Sequence, residues 1–282
     1  MTIAAALAVH IAILCVVAGI FLTSIESLWL WSKGCYDTGG IWPWAIAREV
    51  YSERIGDVLS PVMSNGGMLV VMAARLGFAA ALLAGYGNWT YAPIPLGLLV
   101  ATQLLLQARM HWGGEGADQM TSIVLVTGLV AEICRGLPAV VDSAALFVGG
   151  QITISYLASG TAKLFGPLWR SGRALPMIMN HHTYGHVWFG AFLARYPLVG
   201  KALCYGIIGF QVTFLVFYVL PMPYALVYLA GGILFHAGIA YFMRLNLFLV
   251  TFVGTYPCLI YTRECVRVFL FHSPHLLRML HG

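Results

Sequence analysis

Lys163 is the single charged residue in the apolar segment YLASGTAKLF, which runs from Tyr156 to Phe165. Residues three and four positions apart share one face of a helix, so Lys163 would lie beside Ser159, with Tyr156 one turn further along. Burial disfavours the charged form of a lysine, and the resulting free amine can accept a proton as a general base. The competing interpretation is that Lys163 lies at a helix end and extends its amine to the lipid headgroups.

Two further polar residues fall inside apolar segments. His236, in GGILFHAGIAYF, is either a proton-transfer or ligand-binding residue or a packed, hydrogen-bonded core histidine. Arg75, in VVMAARLGFAA, needs an acceptor within the protein, and Glu132 and Asp142 are the acids in apolar surroundings that could supply it. Such a pair would fix the register of two helices, whereas an unpaired Arg75 would bind a carboxylate or a bicarbonate-like anion.

The other candidate groups carry weaker signals. Asp118 is predicted to cap a helix that begins at Gln119. His182 and His186 have the i, i+4 spacing of a helical metal site, but no glutamate completes a zinc motif, and no metal is predicted. The six cysteines include no CxxC pair, so the sequence favours neither a disulfide framework nor a cysteine metal site.

Composition indicates a protein of the membrane. Hydrophobic residues make up 60% of the 282 residues and charged residues 9%, with a mean hydropathy of +0.85, whereas charged residues are about a quarter of a soluble domain. We therefore expect a single-domain, all-α, polytopic helical bundle with seven or eight transmembrane helices over residues 1–282, located in the cell membrane. The formal charge of +5 comes from arginines near loop ends, which favours membrane lipids and not nucleic acid as partners.

Eight apolar stretches are candidate spans. Their predicted bounds are 3–23, 67–86, 92–108, 119–134, 139–163, 202–220, 223–243 and 246–262. Residues 33–66 contain WPWAIAREVYSERIGDVL and are predicted to lie in the membrane interface. Residues 164–201 combine glycines, prolines and histidines and are predicted to form a re-entrant or interfacial hairpin, and residues 263–282 an amphipathic tail.

Three segments together resemble one family. GGEGADQMTSIVL, YLASGTAKLFGPLWRSGRAL and LFHAGIAYFMRLNLFLVTF are similar to the HTTM family, the horizontally transferred transmembrane domain shared with vitamin K-dependent gamma-carboxylase. The resemblance covers residues from about 110 to 260. It places Lys163 on the lysine regarded as the catalytic base of the carboxylase and His236 on the family histidine.

The resemblance implies a gamma-carboxylase-like membrane enzyme. Lys163 and His236 would be catalytic, a quinone or hydroquinone would be the cofactor, and the substrate or an anion would contact Arg75, Tyr156, Ser159 and Trp169. The alternative is a non-enzymatic membrane subunit for the maturation, export or immunity of a small secreted peptide or a membrane protein partner. A transporter is less favoured because no pair of broken helices or repeated halves is evident.

Overall fold

The computed structural model describes residues 3–85, 92–110 and 116–272, and this part of the chain is helical without a strand. The α-helices are α1 (Ala5–Ser32), α2 (Trp44–Ala47), α3 (Glu53–Met63), α4 (Asn65–Ala84), α5 (Pro93–Arg109), α6 (Gly116–Ile133), α7 (Pro138–Phe165), α8 (Pro167–Arg170), α9 (Ala174–Met179), α10 (Val187–Arg195), α11 (Pro197–Val212), α12 (Met222–Met243), α13 (Asn246–Gly254) and α14 (Tyr256–His272). Arg48–Val50 and Phe214–Tyr218 form 3-10 helices. The predicted all-α class is confirmed.

Four of the described helices are long and apolar enough to cross a bilayer. They are α1, α4, α7 and α12, and α10 with α11 makes a fifth candidate if this pair, bent by 108°, is one broken span. Each of the four corresponds to a predicted span. Helices also occupy the predicted spans 92–108 and 119–134. These helices, α5 and α6, are not among the four that are long and apolar enough to cross a bilayer.

The last predicted span, 246–262, is interrupted. A helix ends at Gly254 and the next begins at Tyr256, with Pro257 in its first turn. A proline fits the first turn of a helix because its missing N–H would have no intrahelical partner there. The predicted tail boundary at residue 263 lies inside α14, where Arg263 is buried, and residues 273–282 lie outside the described part.

The chain divides into two compact units, residues 12–141 and residues 1–11 with 142–282. In the first unit α4 packs on α5 and α5 on α6. Arg109, at the end of α5, is buried and holds segment 33–66 through hydrogen bonds to the carbonyls of Met63 and Trp42. Its guanidinium also lies 5.4 Å from the ring of Tyr36 and 5.8 Å from that of Trp44.

The contacts with Arg109 fix one side of segment 33–66, here called its inner side. Burial raises the pKa of Tyr36, while the nearby Arg109 guanidinium acts in the opposite direction. On the outer side, α3 leaves Ile55 and Val58 exposed, three positions apart on one helical face. An amphipathic helix of this kind fits the interfacial position predicted from the sequence.

In the second unit, the chain reverses after α12. Arg244 has a φ of 61°, in the left-handed region, and it ends α12 so that α13 packs back against that helix. This reversal places the ring of Phe252 against the ring of His236. Residues 164–201 form three short helices (α8, α9 and α10) and the start of α11. The predicted re-entrant or interfacial hairpin in this segment stays a prediction.

Candidate functional site

A cavity of about 640 Å³ lies within the second unit, between α7, α11 and α12, with further walls from α8, α9, α10 and α13. Its lining is largely apolar. Five residues selected from the sequence contribute to it, namely Tyr156, Ser159, Lys163, Trp169 and His236. A largely apolar concavity with a few convergent polar groups is typical of a small-molecule site.

Tyr156 and His236 form the buried polar centre of the cavity wall. The hydroxyl of Tyr156 lies 2.8 Å from Nε2 of His236 and 3.1 Å from the hydroxyl of Tyr256. Phe252 stacks on the imidazole with ring centroids 4.5 Å apart. Gly232 makes this grouping possible, because a Cβ at that position would lie 2.0 Å from the Tyr256 hydroxyl.

Lys163 is half-buried in the last turn of α7. Its Nζ donates hydrogen bonds to the hydroxyl and the carbonyl of Ser159, and it lies 5.1 Å from the ring centre of Trp169. Among the described residues no carboxylate forms an ion pair with it. The lysine is thus held by a hydroxyl, a carbonyl and an aromatic face, each of which also stabilises a positive charge.

Lys163 and His236 lie at different levels of the cavity. Tyr156, which is bonded to His236, precedes Lys163 by seven residues, or about 10 Å along the axis of α7 at the usual helical rise. A separation of this size along α7 does not favour direct proton transfer between Lys163 and His236. The cavity therefore has one polar region near Lys163 and another near His236.

Two buried polar atoms of the cavity-lining residues have no hydrogen-bond partner among the described residues. They are Nδ1 of His236 and Oε1 of Gln211, and both residues are 2% exposed. Gly160 on α7 permits the close approach of α11 at Gln211, since a Cβ there would lie 2.7 Å from Cβ of Gln211. Buried polar groups are normally paired, so these two unpaired atoms are exceptions in the packing around the cavity.

Arg75 lies in the first unit and does not line this cavity. It is 5% exposed, and one guanidinium nitrogen donates a 2.5 Å hydrogen bond to the side-chain oxygen of Gln103. The sequence suggested Glu132 or Asp142 as the acceptor, so this expectation is corrected: the acceptor is a neutral amide. The acid that attracts Arg75 electrostatically is Asp118.

The three acidic residues selected from the sequence, Asp118, Glu132 and Asp142, lie in three different environments. Asp118 lies in the first turn of α6, which begins at Gly116, and not at an N-cap before Gln119; a carboxylate in a first turn is favoured by the helix dipole. Glu132 is buried near the end of α6. Asp142 is half-buried in α7 beside Tyr261.

The histidine-rich segment has a local structural role in the described residues. The ring of His186 caps α10 by accepting a hydrogen bond from the Phe189 amide at 3.3 Å. His181 accepts one from the Thr183 amide at 3.2 Å. Among the described residues, no group of three or more potential ligands is placed to hold a metal ion.

No protein-family model matches the chain, and neither the curated proteins nor the solved structures give a match. The resemblance to the HTTM family therefore rests on the three quoted segments and stays a prediction.

Sequence reasoning missed several residues of the site. Gln211 was not among the candidate site residues, because an orphaned side chain has no sequence signal. Tyr256 and Phe252 were not selected, since aromatic residues are common in apolar helices. The glycines near His236 were a usable signal, because they indicate close helix packing.

Proposed function

We propose that the protein is an integral protein of the cell membrane that binds a lipid-soluble, quinol-like molecule in the cavity and uses Lys163 as a general base. The observation that carries this proposal is the convergence of Lys163, Ser159, Tyr156, Trp169 and His236 on one largely apolar cavity. The proposed reaction class is proton abstraction of the kind that the resemblance to the carboxylase implies.

The membrane position is supported by the exposed surfaces of the long helices. Ile154 of α7 and Val227 of α12 are 59% and 67% exposed, as expected of side chains that face lipid. The proposed count is seven or eight crossings. With 17 and 18 residues, α5 and α6 are about 26 Å long, close to the hydrocarbon thickness of about 30 Å.

The chain's own residues fit this ligand class. His236 and Gln211 are polar residues in an otherwise largely apolar lining. A bound hydroquinone would supply an acidic hydroxyl and reducing equivalents. Nζ of Lys163 would take up the proton, Ser159 would orient that nitrogen, and the face of Trp169 would stabilise the resulting ammonium.

Filling the cavity tests the proposal. Gly206 lines the cavity and Gly209 does not, although both lie on α11 and a Cβ at either position meets no atom within 4 Å. In nanodiscs, binding of a prenylated naphthohydroquinone, followed by tryptophan fluorescence under argon, should be abolished in Gly206→Leu and retained in Gly209→Leu. Equal affinity in both variants, or no binding by the wild type, would refute the proposal and leave the non-enzymatic partner-binding role as the better account.

A further inference from the structure

We infer that one end of the second unit binds the headgroups of anionic phospholipids through Arg170, Arg173 and Lys201. These three residues, with the exposed apolar side chains beside them, are here called the cationic surface. The inference rests on the membrane position in the proposed function and not on a ligand in the cavity. It concerns charges to which the proton-abstraction step assigns no role.

The second unit has a strong imbalance of charge. From Ser143 to Arg263 the chain contains no aspartate or glutamate. The cations that precede Arg263 in this stretch are Lys163, Arg170, Arg173, Arg195, Lys201 and Arg244. Among the described residues none of these six side chains forms an ion pair. Their charges are therefore not neutralised within this part of the chain.

The six cations gather at one end of the second unit. At this end α7 leads into α8 and α9, and α10 leads into the start of α11. Phe189 of α10 stacks on Phe242 of α12 with ring centroids 4.1 Å apart, so the end of α12 next to Arg244 also lies here. Arg263 lies at the other end, where it donates to the carbonyl of Phe217 just beyond α11. The positive-inside rule assigns an end with such an excess of cations to the cytoplasmic side, where anionic lipids give the membrane a negative surface.

The packing of α8 against α11 brings the three residues of the cationic surface together. The hydroxyl of Tyr205 donates a 2.9 Å hydrogen bond to the carbonyl of Arg170. A Cβ at Gly172, which has a φ of 77°, would lie 2.7 Å from Cα of Lys201. The turn between Arg170 and Arg173 therefore lies against the first turns of α11. All three cationic side chains are exposed, so lipid headgroups can reach them.

Exposed apolar side chains flank these cations and favour a lipid over a soluble anion. Phe165 and Leu198 are 73% and 81% exposed, and Leu168 is exposed between them in the fold's charged end. Leu198 precedes Lys201 by three positions and so shares its face of α11. A bilayer accepts both parts of such a surface, because the apolar side chains enter the acyl region while the cations meet the phosphates. A free phosphate ion would leave the apolar side chains in water.

The test compares dioleoylphosphatidylglycerol with dioleoylphosphatidylcholine, each titrated into the whole protein in a nonionic detergent and followed by native mass spectrometry. The wild type should bind phosphatidylglycerol at least about tenfold more tightly, since each cation near an anionic lipid surface contributes about fivefold. The triple variant Arg170→Gln, Arg173→Gln, Lys201→Gln should bring the two affinities to within about threefold.

A second triple variant is the matched control. Lys33→Gln, Arg54→Gln and Arg135→Gln remove the same net charge at exposed positions of the first unit, and the wild-type preference should be kept. Excess inorganic phosphate should not displace phosphatidylglycerol from the wild type. A further measurement needs no variant: in nanodiscs, phosphatidylglycerol in place of phosphatidylcholine should slow acylation of Lys201 more than that of Lys33.

Several results would overturn the inference. They are equal affinity of the wild type for the two lipids, an equal loss of preference in the two triple variants, displacement of the lipid by inorganic phosphate, and equal slowing of Lys201 and Lys33. Failure of the proposed function is seen separately. Release of the protein from membranes by alkaline carbonate would refute the membrane position itself, whereas a protein that stays in the membrane without a lipid preference would refute the cationic surface alone.

Discussion

The hydroxyl of Tyr156 lies 2.8 Å from Nε2 of His236, although 80 residues separate them in the chain. This hydrogen bond joins the C-terminal half of α7 to the C-terminal half of α12. It occupies one imidazole nitrogen and leaves the other, Nδ1, buried and without a partner among the described residues. The bond therefore fixes the orientation of His236 in the cavity wall.

Gly232 allows this junction to form, and its replacement tests it. Gly232→Ala places a Cβ 2.0 Å from the Tyr256 hydroxyl, so overpacking should lower the free energy of unfolding by about 1–3 kcal/mol. Gly238→Ala on the same helix meets no atom within 4 Å and should be neutral or slightly stabilising. Unfolding by SDS in mixed micelles measures both. Equal stability of the two variants would show that the junction is not tightly packed.

The buried Arg75–Gln103 pair predicts an unusual order of stabilities. Gln103→Leu leaves the guanidinium without its acceptor and should cost about 2–4 kcal/mol. Adding Arg75→Met removes the stranded charge, so the double variant should be more stable than Gln103→Leu alone. The same unfolding assay measures all four members of the cycle. Additive losses would mean that the two side chains are energetically independent.

Arg109 is predicted to hold segment 33–66 in place. Arg109→Lys keeps the charge but loses the planar fork that reaches two carbonyls and lies against two rings. Hydrogen exchange should become faster in residues 36–63, and the free energy of unfolding should fall by about 2 kcal/mol. Arg54→Lys, at an exposed position of α3, should change neither quantity. Unchanged exchange in Arg109→Lys would contradict this role.

If α12 crosses the membrane, its two ends lie on opposite sides of the bilayer. Its 22 residues span about 33 Å, enough for the hydrocarbon core. Single cysteines replacing Met222 and Asn246, in a background without the six native cysteines, should react with a membrane-impermeant maleimide from opposite sides of sealed vesicles. Labelling from one side would show that α12 does not cross the membrane.

The parts of the fold that follow from local sequence could be predicted. Long apolar runs identified α1, α4, α7 and α12. The successive spacings of three and four residues placed Tyr156, Ser159 and Lys163 on one face of α7. Both signals depend on near neighbours in the chain. The break at Thr255 was missed because hydropathy averages over a window and gives little weight to Pro257.

Hydrogen bonds between residues far apart in the chain could not be predicted from local sequence patterns. Arg75 needed an acceptor, and nothing in the sequence distinguishes the amide of Gln103 from the carboxylates of Glu132 and Asp142. Arg109 lies just outside the predicted span 92–108, yet it is buried among carbonyls and aromatic rings. Which polar groups meet depends on how the helices pack, and this also decides which atoms, such as Nδ1 of His236, stay unpaired.

The central claim is that Lys163 faces the ligand in the cavity. The chain has two other lysines, Lys33 and Lys201, which do not line the cavity and serve as internal references. We would measure the acylation rate of each lysine in nanodiscs by peptide mass spectrometry, with and without the prenylated naphthohydroquinone at ten times its Kd.

The account predicts that the ligand slows acylation of Lys163 about tenfold, as its occupancy requires, without affecting Lys33 or Lys201, and that Gly206→Leu abolishes the protection. Unchanged acylation of Lys163 while the ligand is bound would contradict the account.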